Sequence, residues 1–481
     1  MEENTIKFGT DGWRGVIADQ FTFEGVRIVT QGVSNYLRKK VKKDLKPCVV
    51  IGYDTRFLSD KFANVSAEVF ACNDIRVYFS DRFTSTPILS YAVIEKKADL
   101  GIMITASHNP FYYNGYKIKG PFGGSATMDI IEEVEKEVGE VLKNIEGYRE
   151  FLYPERIEDE AIKKVDFFSS YRQKILGQVD REVIEGFDFG LLLEPMYGAT
   201  QGMFKGIVDT FNPKNLLEIH SILNPGFGGI NPEPIGDNLA EAKQILREKK
   251  YKMAICLDGD GDRIAALGEE GNYISSHHLY AIVLWYLARI KKVKGKVIKS
   301  VNLSSIVDKI CEKYDLDLIT TPVGFKYIAE QIIKGGVIMG GEESGGLWAG
   351  GELPERDGML MGLKLLEIVC SMKMTINQIL EDIYNEFGYF VFNRIDYKIS
   401  PEQKENLKAL LEKDIPDILK KAGAGNVVTL DGYKYIMEDG SWIMIRPSGT
   451  EAVVRIYTEG ESDKKIKYLQ ELGKEVIDSV F

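Results

Sequence analysis

Three stretches of this chain follow one pattern: a short apolar run that breaks off in a glycine-rich polar loop. They are GIMITASHNP (101–110), MAICLDGDGDR (253–263) and VIMGGEESGG (337–346). Short apolar runs bounded by such loops suit strands buried on both faces. Between them, apolar residues recur at helical spacing, as in Ile130/Ile131, Val134, Val138, Val141/Leu142 and Ile145. Further helical patterns cover 239–250, 275–290, 305–314 and 358–372. Strands alternating with helices predict α/β domains with mixed, largely parallel sheets. In that architecture ligands bind beyond the C-terminal ends of strands, where all three loops fall.

At about 150 residues per domain, a chain of 481 residues makes three or four domains. The charged stretch YREFLYPERIEDEAIKK (148–164) has no sustained apolar period and reads as the first boundary. A second falls near the DGDGDR loop and a third near Gly388, after a helical segment at 375–387. The expected division is 1–155, 156–260, 261–385 and 386–481. The last part reads strand, helix, strands, helix. Its hairpin YKYIMEDGSWIMIRP turns at Asp439-Gly440, a strong hairpin signal, and predicts a smaller α+β domain.

Composition narrows the function. Apolar residues make up 44% and charged residues 28%, as in soluble globular proteins. Net charge is −11 and no long Lys/Arg block occurs, which argues against nucleic acid as a partner. The longest apolar run, Tyr280 to Ala288, is too short to span a bilayer, and the N-terminus lacks the apolar core of a signal peptide. Five scattered cysteines without a CxxC read as small buried residues in a reducing compartment. A cytoplasmic protein is expected, with no membrane contact. An acidic chain that binds an anion must build positive potential locally.

The loops carry the candidate chemistry. Asp258, Asp260 and Asp262 alternate with glycines that let several carboxylates point inward, a pattern for a hard divalent cation. An EF-hand would place Glu269 at its twelfth position, but its sixth would then be Arg263 instead of glycine, and the loop follows a strand. A solvated acidic turn is the plainer alternative. Few all-protein ligands favour Mg²⁺ over Ca²⁺. RPSGTE, from Arg446 to Glu451, has the parts of a phosphate cradle: guanidinium, two hydroxyls and an exposed backbone, with Arg455 as a second charge. GEESGG could pair carboxylates with sugar hydroxyls. GTDGWRG (9–15) could carry Arg14 to an anion. Each of these also fits an ordinary turn. Ser107 and His108 are adjacent. On an extended chain they would face opposite ways, and no GxSxG surrounds the serine, so a triad hydrolase is disfavoured. A phosphoserine facing the three aspartates across Mg²⁺ accounts for both loops.

TASHNP, DGDGDR, GEESGG and RPSGTE occur in the order and rough spacing of the four signatures of the α-D-phosphohexomutase family, and GTDGWRG resembles its N-terminal Arg loop. The resemblance covers nearly the full chain. It implies three related α/β domains and a small C-terminal α+β domain resembling the TATA-binding-protein fold, arranged around one cleft. It implies that Ser107 is a phosphoserine and that Mg²⁺ is held by Ser107, Asp258, Asp260 and Asp262. His108 and Lys117 match residues of proton transfer, and Arg14 and Arg263 match arginines near the phosphoserine. Glu342 and Ser344 match the sugar readers. Arg446, Ser448, Gly449 and Thr450 match the site for the phosphate that is not reacting.

The implied reaction interconverts a hexose 1-phosphate and 6-phosphate through a bound 1,6-bisphosphate, with glucose 1,6-bisphosphate as activator. Glu342-Glu343-Ser344 looks most like the phosphoglucomutase version of the sugar loop. Dual glucose/mannose members often place a His where Gly346 stands, and phosphoglucosamine mutases usually have Gln where Glu343 stands. Glucose is the expected sugar, with a phosphomannomutase of dual specificity or a phosphoglucosamine mutase as alternatives. A catalytically weak sugar-phosphate-binding protein and a metal-dependent phosphatase are the alternatives of other classes.

Overall fold

The computed structural model describes residues 6–9, 11–42, 45–154, 160–249, 251–448 and 453–480. Among these residues the strands build four sheets. The chain forms two compact units. One comprises Met1–Leu279, Ala329–Gly335 and Ser344–Ile376; the other comprises Tyr280–Ile328, Gly336–Glu343 and Asn377–Phe481.

The first unit contains two α/β sheets. One is formed by β1 (Trp13–Val16), β2 (Cys48–Tyr53), β3 (Arg76–Ser80), β4 (Leu100–Ile104), β5 (Tyr113–Lys119) and β6 (Ile162–Val165), in the order β1-β5-β4-β2-β3-β6. β4, β2, β3 and β6 run parallel, while β5 and β1 are antiparallel. Every residue of β4 is buried, as its unbroken apolar run requires. Helices Ser59–Cys72 and Thr86–Lys96 pack on the central strands. The other sheet contains β7 (Gly190–Glu194), β8 (Asn215–Glu218), β9 (Met253–Leu257), β10 (Ile264–Leu267) and β11 (Tyr273–Ile274), in the order β11-β10-β9-β7-β8. β8, β7 and β9 are parallel, and β10 and β11 return antiparallel. Both sheets thus take strands from beyond the boundaries expected at 155 and 260. The charge-rich 148–164 segment hid β6, because an edge strand needs little apolar pattern.

In the second unit β12 (Lys296–Ser300) lies between β13 (Asp317–Thr321) and β14 (Val337–Gly341), all parallel. The short β15 (Leu347–Trp348) belongs to the first unit. The C-terminal part is antiparallel, with β16 (Val391–Lys398), β17 (Ala424–Val428), β18 (Tyr433–Met437), β19 (Trp442–Pro447) and β20 (Val453–Gly460) in the order β16-β20-β19-β18-β17. Helix Asp463–Asp478 packs on β20, β16 and β19. Helix Pro401–Lys413 opens with a Ser400/Gln403 capping box and adds Leu407 and Leu411 to the core. The expected hairpin turn has Gly440 at φ 81°.

The helical patterns became Met128–Lys143, Ala240–Lys249, Ser276–Trp285, Ile306–Tyr314 and Gly358–Met372. The third continues as a π turn, Tyr286–Ile290. Among the described residues no helix is long and apolar enough to cross a membrane.

Helix Phe23–Lys40 lies so close to helix Met128–Lys143 that a Cβ on Gly32 would fall 2.5 Å from Val138 Cγ2 and 2.9 Å from its backbone nitrogen. Gly139, on the second helix, would meet nothing within 4 Å. Gly32→Val should therefore destabilise the first unit by about 1–3 kcal/mol through overpacking. Gly139→Ala should stabilise it by up to about 1 kcal/mol through helix propensity. Denaturant unfolding midpoints test both, and a neutral Gly32→Val contradicts the packing.

Candidate active site

β4 delivers its loop with a preset backbone. Ser107 is buried and sits at φ 52°, a left-handed conformation uncommon outside glycine. Its N–H donates to Thr105 Oγ1 at 2.9 Å, and that hydroxyl donates to Asp54 Oδ2 at 2.6 Å. Arg56, itself buried, donates to the carbonyls of Ser107 and Asn109 at 2.6 Å, Pro110 at 2.8 Å and Tyr113 at 3.1 Å. Asp54 balances its charge, 3.2 Å from Nε. The chain is therefore not extended at the serine, and one sequence inference is corrected. The left-handed turn brings His108 Nδ1 to 3.4 Å from Ser107 Oγ instead of turning the two side chains apart.

The serine hydroxyl points at the loop after β9. Ser107 Oγ donates to Asp258 Oδ2 at 2.9 Å. Asp258, Asp260 and Asp262 are all buried, and each offers a carboxylate oxygen within 4.8 Å of the others. Asp258 Oδ1 accepts the N–H groups of Asp262 and Arg263, both at 3.0 Å, which folds the loop back on itself. Glycine is required twice. Gly261 lies at φ 74°, and a Cβ on Gly259 would come within 2.5 Å of the Ser107 carbonyl.

Buried carboxylates at such range need compensation. Lys117 Nζ lies 2.8 Å from Asp260, 2.7 Å from Asp11 and 3.5 Å from Asp262. Arg356 Nη2 donates to Asp262 at 2.6 Å and to Asp11 at 3.0 Å. Thr86 Oγ1 donates to Asp260 at 2.6 Å. The titration behaviour follows. Burial, with Asp260 and Asp262 beside it, drives the Asp258 pKa well up. Burial alone would raise Asp260 too, but Lys117 and the Thr86 hydroxyl together outweigh it and lower that pKa. Burial would lower Lys117, but Asp11, Asp260 and Asp262 outweigh it and raise it. His108 is pushed well below its ordinary value by burial and by Arg263 and Arg14, so its imidazole is neutral at pH 7.

The triad fits a metal. Asp260 Oδ1 and Asp262 Oδ1 are buried without a hydrogen-bond partner, and a hard cation would satisfy both. A serine oxygen against an acidic cluster ringed by cations suits the handling of a charged group on that oxygen.

The other expected residues are placed as follows. Arg14 Nη1 donates to Asn109 Oδ1 at 2.6 Å, and Arg263 lies 3.6 Å from Glu233. Arg14, Ser107, His108, Lys117, Arg263 and the aspartates therefore belong to one unit. Ser344 is in that unit as well, and the next residue, Gly345, accepts the Ile264 N–H at 3.0 Å. In the second unit Glu342 is buried just after β14, and its neighbour Glu343 lies 3.4 Å from Arg394. Arg446 Nε donates to Asp431 at 2.9 Å, and Arg446 pairs with Arg455 across β19 and β20. Ser448 is buried, with its N–H on the Val453 carbonyl at 2.9 Å. Gly449 and Thr450 lie outside the described residues.

Sequence reasoning missed Asp11, Arg56, Thr86 and Arg356. Asp11 lies inside GTDGWRG, three residues before Arg14. GYDTR, across the end of β2, repeats the grammar of an apolar run ending in polar residues, and that signal could have found Arg56. Nothing local marks Arg356, whose partner Asp11 is 345 residues away.

Four domain models of one family match the chain. They are phosphoglucomutase/phosphomannomutase alpha/beta/alpha domain I (5–144), domain II (169–271), domain III (275–387) and the C-terminal domain (402–472). A phosphoglucomutase of Komagataeibacter xylinus is 29% identical over 99% of this chain and 91% of its own length. A phosphoglucosamine/phosphogalactosamine mutase of Sulfurisphaera tokodaii is 27% identical over 98% of this chain and 99% of its own. The crystal structure of a Thermus thermophilus protein, provisionally described as a phosphomannomutase, superposes with a TM-score of 0.84 at 30% identity, covering 98% and 99% of the two chains.

The charge balance makes its own prediction. Lys117→Met leaves the buried Asp260 and the half-buried Asp11 without their main cation, which should cost about 3–5 kcal/mol. Asp260 has a lowered folded-state pKa, so its share of stability is present above its unfolded value of about 4 and is lost only as the pH falls through the folded value. In the variant burial is left to raise the folded pKa of these carboxylates, so the deficit should be full only above that raised value and should shrink as the pH falls through it towards about 4. Unfolding midpoints across pH measure this, and a variant as stable as the parent at pH 7 contradicts the network.

Proposed function

The chain belongs to the phosphoglucomutase/phosphomannomutase family, and from that premise we propose that it interconverts glucose 1-phosphate and glucose 6-phosphate with Ser107 carrying the transferred phosphoryl group. It is an isomerase with the family's four-domain architecture; we place the divisions near the boundaries read from the sequence, moved to keep β6 with the first sheet and β10 and β11 with the second. The observation that carries the proposal is the buried Ser107 hydroxyl held 2.9 Å from Asp258, in a loop whose carbonyls Arg56 ties down. Phosphoryl transfer depends on positioning and charge neutralisation more than on a strong nucleophile.

In this reading phospho-Ser107 gives its phosphoryl group to the C6 hydroxyl of glucose 1-phosphate. The Ser107 O–P bond breaks as the sugar O–P bond forms, and the hydroxyl proton passes to a base. Lys117 is tied to Asp11 and Asp260, and His108, with Nδ1 3.4 Å from Ser107 Oγ, is the other candidate to take it. The glucose 1,6-bisphosphate reorients, and its other phosphate returns to Ser107, leaving glucose 6-phosphate. Glucose 1,6-bisphosphate from solution would likewise phosphorylate Ser107 and act as activator. Asp258, Asp260, Asp262 and the Ser107 oxygen would hold Mg²⁺, which when bound neutralises charge on the phosphoryl oxygens. Arg14 and Arg263 add positive charge beside Ser107. Glu342 and Ser344 would read sugar hydroxyls. Arg446, Ser448, Gly449 and Thr450 would hold the phosphate that is not reacting.

Overall identity does not choose the sugar, since relatives at 29% and 27% bear names for different ones. The sugar loop does the choosing. A site built on one set of hydroxyls penalises an epimer that leaves its partners unpaired. Glu342-Glu343-Ser344, with Gly346 in place of an adaptable side chain, favours glucose. In a coupled assay at saturating Mg²⁺ and bisphosphate, kcat/KM should fall from glucose 1-phosphate to mannose 1-phosphate to glucosamine 1-phosphate. Equal values for glucose and mannose make the enzyme dual. A glucosamine preference overturns the sugar assignment. No turnover of any of the three favours a binding protein.

A further inference from the structure

One strained turn in the first unit has no part in the reaction above. Met196 and Tyr197 lie at φ 50° and 56°, and His220 at 49°. Left-handed residues other than glycine persist where their surroundings hold them. Here the holding groups are visible. The turn follows β7, whose last residue, Glu194, is buried. Glu194 Oε1 accepts the Met196 N–H at 2.6 Å, and Oε2 lies 2.6 Å from His220 Nδ1. The His220 ring stacks on Tyr197 at 4.5 Å, and its carbonyl accepts the Tyr197 N–H at 3.1 Å. The far ring nitrogen, Nε2, lies 3.1 Å from Glu241. One Glu–His pair thus grips both residues of the turn.

The turn in its turn backs the acidic loop. The Ala199 N–H donates to the Gly259 carbonyl at 2.9 Å. A Cβ on Gly198 would fall 2.8 Å from that oxygen and 2.9 Å from Gly259 Cα. A Cβ on Gly261 would fall 2.4 Å from Thr200 Cγ2. Gly259 and Gly261 are the residues that space the three aspartates. The Tyr197 carbonyl also accepts from Thr55 Oγ1 at 2.8 Å, beside the Arg56 that pins the serine loop.

We propose that Glu194 and His220 are positioning residues for the metal site: they hold the Met196–Tyr197 turn, and through Gly198 and Ala199 they fix Gly259 and the spacing of Asp258, Asp260 and Asp262. The inference rests on reading that triad as a metal site. Outer partners that orient a metal site change its affinity by about 10–100-fold when removed. A merely structural pair would instead lower stability and leave the affinity of the folded protein alone.

The test is calorimetric titration of the full-length protein with MgCl₂ alone, without sugar, beside thermal unfolding in chelator. The parent should bind and Asp260→Asn should not, which establishes the triad independently. His220→Ala should raise the Mg²⁺ Kd about tenfold or more while still unfolding cooperatively. His220→Asn should stay within about threefold, because Asn adopts left-handed backbone readily and offers an N–H donor to Glu194. Glu194→Gln keeps an oxygen for Met196 but loses the charge. It should weaken Mg²⁺ measurably, and it carries the test if His220→Ala does not fold. An unchanged Kd in His220→Ala or in Glu194→Gln overturns the proposal even when Asp260→Asn behaves as expected, as does an Asn variant no better than Ala. A parent that takes up no Mg²⁺ removes both the triad reading and this one.

Discussion

Three carboxylates buried within 4.8 Å of one another set the terms for the rest of the first unit. Water cannot screen them, so cations must be built in or bound. Lys117 and Arg356 supply two, and Asp11 ties the two together because both reach the same carboxylate oxygen. Lys117 comes from β5 and Arg356 from just before helix Gly358–Met372, while the aspartates follow β9. The charge balance therefore fixes elements of different sheets in one arrangement. Ser107 is set down against Asp258 as part of the same construction.

That arrangement also fits the proposed reaction, in which the serine needs no strong base beside it. His108 is neutral and only distantly in contact, at 3.4 Å, and a triad mechanism would ask for more. A serine whose oxygen sits among fixed charges is suited to hold a phosphoryl group and release it to a well-placed hydroxyl. Arg56 contributes without touching the chemistry, since its guanidinium saturates four carbonyls of the serine loop and prevents that loop from relaxing. On the second sheet the strained Met196–Tyr197 turn does for the aspartate loop what Arg56 does for the serine loop.

Much of this was legible in the residues. Apolar runs ending in glycine-rich loops gave β4, β9 and β14 and put the polar loops at their C-terminal ends. Ser107 and the three aspartates stood out because their chemistry is concentrated in short segments. What stayed hidden was long-range or conformational. Arg356 meets Asp11 only after the chain has folded. β6 lacks an apolar pattern since it lies at an edge. The left-handed Ser107 could not be anticipated, because φ there is set by Thr105, Asp54 and Arg56 and not by the serine itself.

Whether Ser107 carries the phosphoryl group can be read from the covalent state of the protein. The protein would be incubated with glucose 1,6-bisphosphate and Mg²⁺, desalted and digested, and the phosphate mapped by mass spectrometry before and after a chase with excess glucose 1-phosphate. One phosphate is expected, on Ser107, and it should disappear in the chase as glucose 1,6-bisphosphate forms. A phosphate on any other residue, or one on Ser107 that the sugar does not remove, would contradict that expectation.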